Sequence, residues 1–136
     1  YYAKNIVNAT AGANAVTVTF DTVANYPDIR ILEYSGIDRV NPLDVVVGAQ
    51  GNSATSSSGA VTTTNANDLL LGANTVWAST IGSSSGFTPE LLSPDGDVAE
   101  DGVVTATGSY SAGAPLSNAS GWVMQMVAFR ALSGGG

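Results

Sequence analysis

The sequence predicts an antiparallel all-β sandwich of jelly-roll or Greek-key type with eight or nine short strands. Three observations lead there. In the stretch 121–132, Trp122, Met124, Met126 and Ala128 alternate with Val123, Val127 and Phe129, so both sides of a pleated strand are apolar and the strand belongs in the middle of a sheet. Short period-two runs recur along the chain between turn-forming Gly, Pro, Asn and Asp. No stretch carries a convincing amphipathic helical period, and for 121–132 itself the aromatic and β-branched content with Gly and Ser flanks favours strand over helix. The Cys and Trp spacing of immunoglobulin domains is missing, which favours jelly-roll or Greek-key connections.

Taken in order, residues 1–6 read as a strand that starts abruptly. In 14–21, Val16, Val18 and Phe20 lie on one side and Thr17 and Thr19 on the other, a strand with one wet face. Residues 29–34 alternate Ile29, Ile31 and Glu33 against Arg30, Leu32 and Tyr34, a third strand closed by Ser35-Gly36. Residues 45–47 form a short strand, and the Ser-, Gly- and Asn-rich 48–59 reads as a loop or solvated edge. Strand propensity returns in 60–64, with a turn at 65–68. The apolar 69–71 and 75–78 form a buried strand region containing Trp77. A flexible loop over 81–86, a strand over 87–92, a tight turn at 94–97 and a long strand over 98–110 follow, and 115–120 leads into the central strand. Residues 1–132 are expected to be one module, with 133–136 a linker or tail.

One domain is what 136 residues allow, and 44% hydrophobic content argues for a packed core. No apolar run is long enough for a membrane-spanning helix. Four basic residues (Lys4, Arg30, Arg39, Arg130) against eleven acids give a net charge of −7, which argues against nucleic acid and anionic membranes as partners. The absence of Cys and His removes thiolate chemistry, disulfides, imidazole bases and the commonest zinc ligands. With only 11% charged residues the surface is largely Ser, Thr, Asn, Gly and Ala, a composition suited to packing against copies of itself or to life outside the cell.

Chemistry has few places to live. Asp95, Asp97, Glu100 and Asp101 crowd into seven residues around Gly96; hard cations take converging carboxylate and carbonyl oxygens, so Ca²⁺ is the candidate metal, set against a solvated acidic turn. The spacing is not that of an EF-hand. Glu33, Glu90 and Glu100 are the acids available for glycoside hydrolysis, although nothing places two of them across a groove, and pairing of Glu33 with Arg30 or Arg130 is the simpler account. Trp77 and Tyr26 are the candidate sugar-stacking aromatics, weighed against core packing, which is also the expectation for Trp122. Lys4 raises the idea of an isopeptide cross-link with Glu33 as catalyst, against an ordinary solvated lysine. Asn8-Ala9-Thr10 and Asn118-Ala119-Ser120 fit the N-glycosylation pattern, which also arises by chance.

Several segments together resemble a known family. They are Ile31-Leu32-Glu33-Tyr34-Ser35-Gly36-Ile37-Asp38 with Asn41-Pro42-Leu43-Asp44; Thr62-Thr63-Thr64 with Asn67-Asp68-Leu69-Leu70; Ser93-Pro94-Asp95-Gly96-Asp97 leading to Gly108-Ser109-Tyr110-Ser111-Ala112; and Trp122-Val123-Met124-Gln125-Met126. The family comprises largely uncharacterised jelly-roll-like β-sandwich modules in large secreted or surface proteins of environmental bacteria, with phage-tail-like relatives. The resemblance implies a non-catalytic extracellular module used for adhesion, scaffolding or glycan binding. Such modules carry further strands ahead of the point matching Tyr1, so the expectation is a sandwich lacking its leading strand. Its open groove would be completed by β-strand addition from another copy or an upstream fragment, as in a self-assembling filament.

Overall fold

The computed structural model describes residues 1–132; the expected tail at 133–136 lies outside the described residues. The chain is an antiparallel β-sandwich with no helix among the described residues. Seven strands are present: β1 (Leu43–Ser57), β2 (Val61–Thr62), β3 (Asp68–Val76), β4 (Thr88–Leu92), β5 (Val98–Val104), β6 (Ser109–Tyr110) and β7 (Gly113–Arg130). Five of them form one sheet in the order β1-β7-β3-β5-β4, and β2 and β6 pair as a small second sheet over it.

β7 is the central strand. It pairs with β1 on one side and β3 on the other, and two rows of side chains explain its sequence. On the inner face Met126 lies between Val47 and Gly72, with Met124 between Ala49 and Asn74. Met124, Met126, Ala128, Leu70 and Ala112 are the buried core, with Val45, Val47, Val61, Phe87, Val104, Tyr110 and Trp122 packed around them. Each buried Leu or Met contributes about 1.5–3 kcal/mol. The covering segment comes so close at Gly72 that a Cβ there would sit 2.6 Å from the Ala112 Cβ, so only glycine fits beneath it.

The outer face is covered much less. Leu69 and Ala99 are buried, but Val46, Val103 and Val123 are exposed, and Val127 and Phe129 are half-buried. Residues 29–34 lie over this face as an extended segment. Arg30 Nη1 donates to the Val98 carbonyl at 2.7 Å and the Tyr34 hydroxyl donates to Asp101 Oδ2 at 2.8 Å. The Tyr2 ring meets Phe129 edge to face, with centroids 5.4 Å apart.

Four expectations are corrected. Residues 1–6, 14–21 and 29–34 are not ladder strands; the alternation of 29–34 is real, with Arg30, Leu32 and Tyr34 half-buried and Ile29, Ile31 and Glu33 in solvent, but its backbone has no strand beside it. The segment 48–59 is mostly strand, the greater part of β1, because Gly, Ser and Asn side chains conceal a ladder that β7 supplies. The long strand over 98–110 breaks after Val104, and its second part, β6, crosses to the small sheet. The strand count is therefore seven among the described residues rather than eight or nine.

Candidate functional site

Two surfaces and two buried polar clusters stand out. The first surface is the apolar part of the segments 14–21 and 29–34. Val16, Val18 and Phe20 are 59, 44 and 50% exposed, and Ile29 and Ile31 are 49 and 57% exposed, on extended segments that no strand pairs with. Single exposed apolar side chains are ordinary; five of them on two bare extended segments leave both apolar area and backbone polar groups to water.

The second surface is the end of β3. Past Val76 the chain continues along β7: Trp77 N donates to the Gly121 carbonyl at 3.1 Å and Ser117 N donates to the Ser79 carbonyl at 2.8 Å. Between these two anchors β7 holds residues 118–120 against Ala78 alone, so it bulges and carries Asn118 and Ala119 into solvent. Trp77 is 91% exposed, a correction to the buried strand position expected for it. Its ring rests against Gly121, where a Cβ would lie 2.9 Å from Trp77 Cδ1. Trp122, by contrast, is half-buried and donates from Nε1 to Ser53 Oγ at 2.9 Å. Tyr26 is 93% exposed on the N-terminal segment, and among the described residues the aromatic pair formed is Tyr2 with Phe129, not Tyr26 with Trp77.

The acids of the acidic turn meet different surroundings. Strand pleat sends Glu100 to the inner face and Asp101 to the outer face, where Tyr34 binds it; burial first, then that hydrogen bond and the Asp101 charge, push the Tyr34 hydroxyl up. Asp97 turns inward and accepts from Val76 N at 2.8 Å, with burial pushing its carboxyl up, while Asp95 is exposed. Among the described residues no three acidic side chains converge. The proposed Ca²⁺ set of Asp95, Asp97, Glu100 and Asp101 is thus dispersed by the pleat.

The acids considered for hydrolysis are dispersed too. Glu100 is fully buried, whereas Glu33 and Glu90 are exposed on different elements. Glu33 is not the partner of either arginine: Arg30 pairs with Asp28 at 3.2 Å and Arg130 with Asp44 at 2.8 Å. Lys4 is exposed and donates to the Val40 carbonyl.

Sequence reasoning missed both buried clusters. Asp44 of β1 takes Arg130 Nη2 of β7 on Oδ1 at 2.8 Å, Thr64 N on Oδ2 at 2.7 Å, Asn65 N on Oδ2 at 3.3 Å, and the Thr64 hydroxyl. Burial pushes its carboxyl up, but these donors, with a hydrogen bond from Asp68, outweigh it and hold Asp44 down to about 2. Asp68 of β3 is fully buried, binds Asn65 Nδ2 at 2.8 Å through Oδ1, and has no protein donor for Oδ2. Burial above all, reinforced by the neighbouring Asp44, pushes Asp68 up. The two carboxyls are thus pushed in opposite directions, which favours the charge on Asp44 and the proton on Asp68. The hint in the sequence is two acids at the starts of the strands that flank β7, with Arg130 at the end of β7 itself.

Glu100 forms the second cluster. Its Oε1 accepts Gly113 N at 3.1 Å and the Ser84 hydroxyl at 3.5 Å, while Oε2 is buried without a donor. Burial pushes the carboxyl up, only partly offset by those donors. Ser84 and Gly113 stand in the wall of a shallow open pocket of about 250 Å³ lined chiefly by Thr55, Ser56, Ser57, Ser84 and Ser111, but the carboxyl itself is sealed behind it. Nearby, Asn74 is fully used: its Nδ2 donates to Ser56 Oγ and Thr80 Oγ1, and its Oδ1 accepts from Val98 N at 2.7 Å.

No family model, curated protein or solved structure matches the chain.

Proposed function

We propose that the chain is a non-catalytic structural or adhesive module of the extracellular surface, which assembles with copies of itself by strand addition. The observation that carries this reading is that Val16, Val18, Phe20, Ile29 and Ile31 lie exposed on two segments with no strand beside them. An added strand supplies the missing ladder and covers the apolar side chains at once. The low charge fraction supports the same reading, because few charged side chains have to be desolvated when a Ser-, Thr- and Asn-rich surface meets a neighbour. Sedimentation velocity across a wide concentration range, with electron microscopy of concentrated samples, tests it. Val18→Lys together with Ile31→Lys is expected to remove the association made through these two segments, with the melting temperature unchanged, since both side chains are exposed. A parent protein that stays monomeric at millimolar concentration would refute the reading.

A second reading, glycan binding, draws on Trp77, whose indole is 91% exposed and rests against Gly121. Aromatic faces stack on the apolar faces of sugars while neutral hydroxyls and amides bind their rims. On a glycan array, Trp77→Ala should weaken any bound glycan by roughly tenfold or more. Retention of full binding by that variant would remove Trp77 from the site.

A further inference from the structure

The two edges of the five-stranded sheet are built differently. β4 is short, contains Pro89 and Glu90, and has a register irregularity between Pro89 and Leu91, all devices that blunt an edge against further pairing. β1 is long, and its register irregularities lie outside the stretch Val46 to Ser53. It runs fifteen residues, carries neither charge nor proline from Val45 to Ser57, and has β7 as its ladder partner on one side alone. Between its two register irregularities, Val46 to Ser53 pair without interruption with β7, so this stretch is regular enough to template another strand.

We infer that the free edge of β1 is a homotypic interface: β1 of one copy pairs antiparallel with β1 of a second copy about a two-fold axis, joining two five-stranded sheets into one of ten. Three features of this chain select a second copy as the occupant. An antiparallel strand paired with itself is self-complementary by symmetry, and a two-fold contact closes after two subunits. With a net charge of −7, two copies repel across most surfaces, but at Val45 to Ser57 no like charges are brought opposite one another. The centre of the regular stretch is Gly48, Ala49 and Gly51, small residues that leave the approach of a second backbone unobstructed. The blunted β4 edge then ends the joined sheet on both sides.

This interface is distinct from the surface of residues 14–34, and the test keeps them apart by working in the Val18→Lys, Ile31→Lys background. That protein is expected to sediment as a dimer. Gln50→Lys and Gln50→Glu, at an exposed position next to the axis, are each expected to give monomers with unchanged far-ultraviolet spectra. Their equimolar mixture should restore the dimer, because opposite charges then face each other across the axis. Amide exchange of 46–53 should slow as concentration rises. A background protein that is monomeric throughout, a Gln50→Lys variant that stays fully dimeric, or a mixture that remains monomeric would overturn the interface.

Discussion

Asp44→Ala is expected to destabilise the protein by about 2–4 kcal/mol, the largest single loss outside the apolar core. Removing one partner of a buried ion pair costs ~3–5 kcal/mol because the other charge is left without compensation, and the figure is lowered here because Arg130 keeps partial access to water. The loss has several parts: the Arg130 guanidinium, the amides of Thr64 and Asn65 and the proton of Asp68 all lose their acceptor together. Asp44→Asn should recover only part of the loss, since its amide nitrogen faces donors. Urea unfolding of the two variants beside the parent measures this directly. A loss below about 1 kcal/mol would mean that the cluster is a surface pair in energetic terms.

Raising the pH from 5 to 8 is expected to lower the melting temperature, and Glu100→Gln to remove much of that fall. Asp68, Asp97 and Glu100 are all pushed up by burial, so the folded state holds protons that the unfolded state has released. Their contribution is therefore fully present below the ordinary carboxylate range and is lost as pH rises through their folded-state values. Asp44 has the opposite sign: its contribution is present above the ordinary range and is lost as pH falls toward about 2. The two trends place the stability maximum in mildly acidic solution. While one such group titrates, stability changes by about 1.4 kcal/mol per pH unit. Glu100→Gln keeps the shape and can accept from Gly113 N without a charge to bury. Calorimetric melts of parent and variant from pH 4 to 9 decide it, and a melting temperature that rises through that range in the parent would contradict the assignment.

The features legible in the sequence were those in which a strand's own residues carry the message. β7 was readable because Met124, Met126 and Ala128 sit on one side of the pleat and Val127 and Phe129 on the other, which only a strand between two others needs. β1 was readable only at 45–47, since the composition of its remainder is that of a loop and its strand character comes from a ladder with residues some seventy positions later. The segments 14–21 and 29–34 show the reverse: the period of two is in the residues, but a period says which side chains share a face, not whether a neighbouring backbone is there to bond. The acidic turn misled because closeness in sequence was taken for convergence in space, and the alternation between Glu100 and Asp101 undoes it. Trp77 lies beside a three-residue bulge in a distant strand, and nothing local to Trp77 encodes that bulge.

The placement of β7 between β1 and β3 sets the order in which this molecule can be made. β1 and β3 have no ladder with each other, so until residues 113–130 have left the ribosome the first and third strands lack the partner that would hold them in a sheet. A nascent or shortened chain ending before Gly113 would display the uncharged run of β1 with nothing beside it. Synthesis of β7 is thus the event that brings β1 and β3 into one sheet.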